Sequence, residues 1–187
     1  MREILFMIHT SLDGCIEGPS GEFDWPLMGP ELSGYSQELS SRAGEFGYGR
    51  KVWEMMSSFW PTAESDSDDP HDIAYAPIWR ETPKVVFSRT LEKADWNTRV
   101  LSGDLATEVA ALKAEGGKDL LVMGGAELAS ELSRLGLIDE YLVFVHPVVL
   151  GGSRRPFTEG ADRFGLTLVE SRVFDGRVVM LRHRRAS

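Results

Sequence analysis

The stretch Leu120-Leu121-Val122-Met123-Gly124-Gly125-Ala126-Glu127-Leu128 decides the fold class. Its continuous apolar start matches a strand covered on both faces, as in the middle of a parallel sheet. The glycine pair then turns the chain into a segment read as a helix over residues 126–135. A strand feeding a helix in this way belongs to an α/β architecture. Working outward, residues 84–88 and 99–101 read as strands, and 105–114 as a helix with Leu105, Val109 and Leu112 on one stripe. Residues 141–145 form another strand, and 166–171 with 178–183 an antiparallel hairpin across Asp175-Gly176. The chain opens with a strand over residues 4–9, followed by a helix over about 30–43. Pro30 and Glu31 suit that helix start, by fixed φ and by charge. Gly44, Gly47 and Gly49 are expected to break the chain before a second helix over 51–59. Residues 63–72 are acidic and poor in apolar side chains, and read as an exposed loop. The sum is a single α/β domain over residues 1–187: a mixed, mostly parallel central sheet, helices on both faces and a C-terminal antiparallel hairpin.

Composition removes several function classes. Twenty Lys and Arg against 29 Asp and Glu give a net charge of −9, without the basic concentration of a nucleic-acid surface. The basic run Arg182-His183-Arg184-Arg185 reads as a solvated strand end. Cys15 stands alone, which excludes a disulfide framework and a thiolate metal cluster. The apolar run at residues 4–8 is too short for a signal core or a membrane span, so a cytoplasmic protein is expected. His9, His71, His146 and His183 lack metal-site spacing, and the acidic run at 66–71 lacks the glycine and closing glutamate of a calcium loop. No metal is expected. Neither a Gly-x-Ser-x-Gly elbow nor a Gly-Lys-Ser/Thr phosphate loop occurs.

Three segments are chemically ready for an anion. Gly124-Gly125 opens a helix whose free N–H groups attract phosphate, although a tight strand-to-helix turn needs the same glycines. Gly49-Arg50-Lys51-Val52 places two cations at another helix start, where ordinary surface residues would look the same. Ser88-Arg89-Thr90 offers hydroxyl, guanidinium and hydroxyl at a strand's carboxyl end, or simply a hydroxyl-bonded turn. Gly47-Tyr48-Gly49 mimics the start of a dinucleotide fingerprint. Val52 takes its third glycine position, however, and Glu45-Phe46 does not read as the required strand.

Together and in this order, Ser11-Leu12-Asp13-Gly14-Cys15-Ile16, Gly49-Arg50-Lys51-Val52-Trp53-Glu54, Ser88-Arg89-Thr90-Leu91, Val122-Met123-Gly124-Gly125-Ala126, Leu137-Ile138-Asp139-Glu140-Tyr141 and Pro147-Val148-Val149-Leu150-Gly151-Gly152 resemble the dihydrofolate-reductase-like superfamily. The resemblance is closer to bacterial proteins related to the reductase domain of bifunctional riboflavin-biosynthesis enzymes. It covers roughly residues 2–183 and implies the superfamily's three-layer fold and NADPH as cofactor. It further implies that Gly49, Arg50, Lys51 and Val52 meet the cofactor phosphates, and that Ser88, Arg89 and Thr90 flank the adenosine 2′-phosphate. Met123, Gly124, Gly125, Ala126, Glu127 and Leu128 would lie along the pyrophosphate and nicotinamide. Asp13 and Ile16 would border the nicotinamide. A cis peptide, which costs about 2.5–4 kcal/mol, would be expected between the paired glycines.

Two departures stand out. Val52 occupies a position where relatives commonly have Thr, and Met123 one where riboflavin-pathway reductases often have Glu. The expected reaction is hydride transfer from NADPH to a C=N or C=O carbon of a small, pterin- or pyrimidinone-like substrate. Glu31, Asp24 and Asp13 are the candidate catalytic acids. Trp25, Tyr35 and Trp53, with Phe23, either form a flat substrate pocket or belong to the core. The rival expectation is a non-catalytic NADP(H)-binding or regulatory protein that keeps the fold. A homodimer is also expected, with the strand at 141–145 near its interface.

Overall fold

Residues 4–11 contain no glycine or proline, and in the structure they form the strand on which the sheet is assembled. The structure is a computed structural model that describes residues 2–152, 154–157 and 163–186. In chain order the elements are β1 (Ile4–Ser11), α1 (Pro30–Arg42), β2 (Ala43–Gly49), α2 (Arg50–Phe59), α3 (Ala63–Asp66), α4 (Pro70–Glu81), β3 (Lys84–Phe87) and β4 (Thr98–Leu101), followed by α5 (Leu105–Glu115), β5 (Asp119–Met123), α6 (Ala126–Arg134), β6 (Glu140–His146), β7 (Leu166–Phe174) and β8 (Val178–Arg185). One eight-stranded sheet has the order β4-β3-β2-β5-β1-β6-β8-β7. The pairings from β4 across to β6 are parallel, and β8 and β7 add antiparallel to β6. This is the mixed sheet with a closing hairpin that the sequence predicts.

Side chains alternate across the strands, so each central strand feeds two cores. Leu5, Phe46, Tyr48, Leu121 and Phe144 pack with α1, α2 and α4 on one face. Ile4, Phe6, Ile8, Leu120 and Val122 pack with α5 and α6 on the other. Strands buried on both faces need no polar alternation, which is why β5 reads as an unbroken apolar run.

Two segments differ from the sequence reading. The glycines around residue 47 do not break the chain but belong to β2, a covered strand between β3 and β5. A Cβ on Gly47 would meet Val122 Cγ2 at 3.0 Å, and one on Gly49 would touch Leu128 Cβ at 3.7 Å. Gly47 leaves room for β5 side chains that press against this strand's own backbone, while Gly49 lies in ordinary contact distance of α6. The segment 63–72 is not a loop throughout: α3 lies within it and α4 starts in it. Asp69 caps α4 by accepting the His71 N–H, and Pro70 takes the first helical position. The acidic composition masks a helix start that buries His71, Tyr75 and Trp79.

The strand read at 141–145 is present. It lies within β6, between β1 and β8, so its backbone is paired on both sides and it offers no free strand edge. The sheet's edge strands are β4 and β7, and on β7 Leu166, Leu168, Val169 and Val173 are exposed.

The basic run at the end of β8 is ion-paired rather than simply solvated. Glu140, 1% exposed, accepts from Arg182 Nε at 2.7 Å and Arg184 Nε at 2.8 Å, and Arg184 also reaches Glu3. Arg182 and Arg184 still reach solvent, so removing Glu140 costs about 1.5–3 kcal/mol, the range of hydrogen bonds to a charged group, rather than the penalty of a stranded buried charge. Glu140→Ala is therefore expected to lower the unfolding free energy by about 1.5–3 kcal/mol in urea titrations. A loss below about 1 kcal/mol would show the pair to be effectively solvated.

Candidate active site

Because β1, β2, β3 and β5 run parallel, their carboxyl ends open on one edge of the sheet, where ligands bind in open α/β folds. The segments that follow β2, β3 and β5 meet there. Gly49, Arg50, Lys51, Val52, Ser88, Arg89, Thr90, Gly125, Ala126, Glu127 and Leu128 all line one cavity of about 550 Å³. The three anion-ready segments separated in sequence are one site in space.

The helix starts explain its chemistry. An α-helix leaves its first N–H groups without intrahelical partners. In α4 and α5 the side chains of Asp69 and Asp104 accept from them, and in α1 the Asp175 carboxylate takes the N–H groups of Glu31 and Leu32. In contrast, α2 and α6 start after Gly49 and Gly125 with no side-chain cap, and both starts face the cavity. A Cβ on Gly125 would lie 3.8 Å from the Gly49 nitrogen, so the two helix ends nearly touch. Orphan donors are thus gathered where Arg50, Lys51, Arg89 and Arg154 add positive charge. These cations are held loosely: Arg50 lies 3.7 Å from Glu54, Lys51 3.9 Å from Glu127, and Arg154 3.7 Å from both Glu17 and Glu127. Exposed pairs of this kind contribute about 0–1 kcal/mol, so an arriving phosphate can replace them. The Ser88 hydroxyl accepts from the N–H groups of Thr90 and Leu91, so the hydroxyl-bonded turn is real and also forms part of the wall.

The glycine pair carries φ of +75° at Gly124 and +87° at Gly125, a region that disfavours side chains. Its peptide is trans, correcting the expected cis bond. The Val52 methyls stand 3.7–3.8 Å from where a Cβ would be on either glycine, so the contact at this place is apolar.

A second cavity, about 270 Å³, adjoins the first and shares Lys51, Val52, Gly125, Ala126 and Arg154 with it. Its lining is mainly apolar, with Met7, Ile8, Ile16, Phe23, Met55, Met56 and Met123. Met123 is buried and its Sδ meets the Tyr75 hydroxyl at 3.8 Å, so the cavity floor has no carboxylate at that position. The polar groups of the wall include His9, whose Nδ1 lies 2.8 Å from Nε2 of His146. Burial lowers the His9 pKa to about 3, with help from His146 and His71. Burial, with Arg177, lowers His146 to about 4, so both rings are neutral at pH 7.

The remaining predicted residues lie outside both cavity linings. Glu31 is bound into a reciprocal cap: its carboxylate accepts the N–H of Asp175 at 2.6 Å while Asp175 caps α1. Asp24 is exposed. Asp13 is surrounded by donors, accepting from the Ser11 hydroxyl at 2.6 Å and the N–H groups of Leu150 and Gly151 at 3.1 and 2.9 Å. These bonds hold its carboxyl well below the usual range, so at neutral pH it carries no proton to give. Tyr35 packs on Phe144 and Phe174 in the core. Trp53 is buried with its indole N–H on Thr98 Oγ1 at 3.3 Å. Trp25 is buried edge-on to His146, and its indole N–H has no partner among the described residues. Sequence reasoning missed His9, His146 and Arg154. The histidines were weighed only as metal ligands, and Arg154 lies in a loop brought to the cleft by Asp13.

Comparisons with known proteins agree with this geometry. The model of the RibD C-terminal domain family matches residues 2–180. The chain belongs to that family. It is 34% identical to the uncharacterized protein YyaP of Bacillus subtilis over 96% of this chain and 93% of YyaP. A crystal structure from Shewanella sp. PV-4, of a protein named for riboflavin biosynthesis, shares the fold with a TM-score of 0.79, 24% identity and 99% coverage of both chains. Dihydrofolate reductase from Enterococcus faecalis, solved with NADP(H), shares it with a TM-score of 0.65 and 12% identity, covering 99% of this chain and 97% of its own. The dihydrofolate-reductase-like fold is therefore established.

Asp13 also ties the loop after β1 to the loop after β6, and this has a pH signature. A carboxyl whose pKa is lower in the folded state adds stability above its unfolded value, which is lost as pH falls through the folded one. Asp13→Asn is expected to lower the melting temperature at pH 7, with the difference from wild type shrinking below about pH 4. An equal difference at pH 7 and pH 2 would show that the charge contributes nothing.

Proposed function

We propose that this chain is a single-domain reductase that uses NADPH to reduce a C=O or C=N bond of a small, flat substrate. The observation that carries the reading is the convergence of two uncapped helix starts and four cations beside an apolar cavity. That donor set suits a dinucleotide carrying phosphates at two places. Arg50, Ser88, Arg89 and Thr90 would hold the 2′-phosphate, and the N–H groups opening α2 and α6, with Lys51, the pyrophosphate. Ile16, Val52, Met123, Gly124, Gly125 and Ala126 would form the apolar wall for the nicotinamide, with Glu127 and Leu128 at the seam. When bound, NADPH supplies the hydride. The protein's part is to orient donor and acceptor and to exclude water from between them. Phe23, which lines the apolar cavity edge-on to Trp25, would border the substrate.

The family and the cofactor-bound dihydrofolate reductase of the same fold support this reading. No helix among the described residues is long and apolar enough to cross a membrane. A homodimer, if formed, would use the exposed apolar edge at β7.

Titration with NADPH, followed by tryptophan fluorescence, is expected to saturate at micromolar cofactor. Absence of saturable binding would refute the proposal. Arg50→Ala and Arg89→Ala should each weaken NADPH about 10- to 100-fold, the range of a charge-assisted hydrogen bond, and leave NADH within about threefold. Equal losses for both cofactors would remove these arginines from the 2′-phosphate. Tight NADPH binding without turnover of any carbonyl or pyrimidinone compound would favour the non-catalytic alternative.

A further inference from the structure

The reading above gives no work to the two imidazoles in the wall of the apolar cavity. His9 lies in β1 opposite Phe144, and His146 ends β6 opposite Ser11, so the two side chains are diagonal neighbours on one sheet face. The Leu27 N–H donates to Nδ1 of His146 at 3.3 Å. An amide can only donate, so that nitrogen carries a lone pair, and a neutral ring must then hold its proton on Nε2. This Nε2–H meets Nδ1 of His9 at 2.8 Å, so Nδ1 of His9 accepts. By the same count the proton of His9 is on its own Nε2. Neither ring can rotate freely: His9 stacks on Phe144 at 5.0 Å, and Trp25 stands edge-on to His146 at 5.5 Å. A backbone amide thus sets the tautomer of a residue two hydrogen bonds away. Nε2–H of His9, which helps line the cavity, is left with no hydrogen-bond partner among the described residues.

The cavity's other chemistry states what this donor is for. A 2-amino-4-oxo ring, as in a pterin, presents neighbouring N–H groups that call for a carboxylate, and Met123 on the cavity floor offers none. Glu17, the acid in the lining, stands 3.7 Å from Arg154, a residue both cavities share, and so belongs to the cation-bearing side rather than the apolar wall. A neutral donor in an apolar, methionine-rich wall suits an acceptor atom on an apolar body.

We propose that His9 donates its Nε2–H to the oxygen of a carbonyl substrate with an aromatic or aliphatic body, with His146 as the residue that positions it. The proposal rests on the reductase reading. Hydride from NADPH forms the new C–H bond at the carbonyl carbon, and the C=O π pair moves onto oxygen. Nε2–H of His9 stabilises the alkoxide as it develops, and water supplies the proton that completes the alcohol. The oxidised cofactor and an alcohol are the products. His9 acts as a neutral hydrogen-bond donor and need not lose its proton.

The first test uses the full chain labelled with ¹⁵N-histidine, without ligand. Two-bond ¹H–¹⁵N spectra are expected to show His9 protonated at Nε2 and bare at Nδ1 from pH 8 to pH 5. His146→Leu should leave His9 a mixture of tautomers. The opposite tautomer in wild type, or an imidazolium at pH 6, would overturn the proposal. The second test adds 1-phenyl-1,2-propanedione, up to 10 mM, to protein saturated with NADP⁺. The His9 Nε2–H resonance should shift, and no shift would overturn the proposal. With NADPH and the same dione, His9→Phe should lower kcat about 100-fold, the usual loss of one donor to a developing oxyanion. The KM for NADPH should stay within about twofold, and His9→Gln, which keeps an N–H, should recover part of the rate. Unchanged kcat in His9→Phe would overturn the role of His9 while leaving the reductase reading intact. Failure of wild type to bind NADPH would instead remove the reading beneath it.

Discussion

The site depends on one close approach. Helix α6 lies against the glycine-bearing face of β2, and this lets the first turns of α2 and α6 come together. Each helix start concentrates about half a positive charge from its unsatisfied amides. Bringing two together with no side-chain cap is unfavourable unless something negative sits between them. Glu127, in the first turn of α6, is the nearby acid, largely exposed and 3.9 and 3.7 Å from Lys51 and Arg154. The sheet supplies the approach: a side chain on Gly47 would crowd Val122 at 3.0 Å, and Gly49 lies within van der Waals reach of Leu128 on α6.

A second constraint brings the outer wall to the same place. The loops after β1 and β6 are laced together by Asp13, by the Leu12 N–H on the Val148 carbonyl and by the Ile16 N–H on the Arg154 carbonyl. Cys15 joins in, its thiol 3.0 Å from the Gly152 carbonyl. The lacing sets Ile16 and Arg154 on the cleft beside β5. Asp13, Ile16 and Arg154 thus form one structural unit although Arg154 is far from the others in sequence. In this unit Asp13 organises backbone, and chemistry is left to groups that face the cavity.

Much of the fold was legible because buried parallel strands and amphipathic helices have periodicities of their own. β5, α5, α6 and the β7–β8 hairpin follow their sequence patterns closely. β2 was hidden for a definite reason: its glycines answer to the helix and side chains packed on it, and nothing in 43–49 records that neighbour. α4 was hidden by acidic residues that are its cap and first turn. The phosphate-ready segments were visible singly because cations and glycines at element ends have local meaning, whereas their meeting is a property of strand order. Trp53 and Tyr35 show the opposite limit, since an aromatic ring looks the same in a core as in a binding pocket. The imidazole pair was invisible for a third reason. Its meaning lies in a tautomer, and a tautomer is set by partners from three separate segments.

The reciprocal cap between Glu31 and Asp175 has a consequence for how the molecule assembles. The first amides of α1 are satisfied by a hairpin turn 144 residues away along the chain. α1 therefore lacks its N-terminal partner until β7 and β8 have paired, and β5 must slot between β1 and β2, both made earlier in the sequence. Such long-range closures put much of the ordering cost ahead of the reward and slow folding. They also couple distant parts of the native state. Opening of the edge hairpin would uncap α1, whose Leu32, Tyr35 and Leu39 support the same core that carries Phe144 beneath His9.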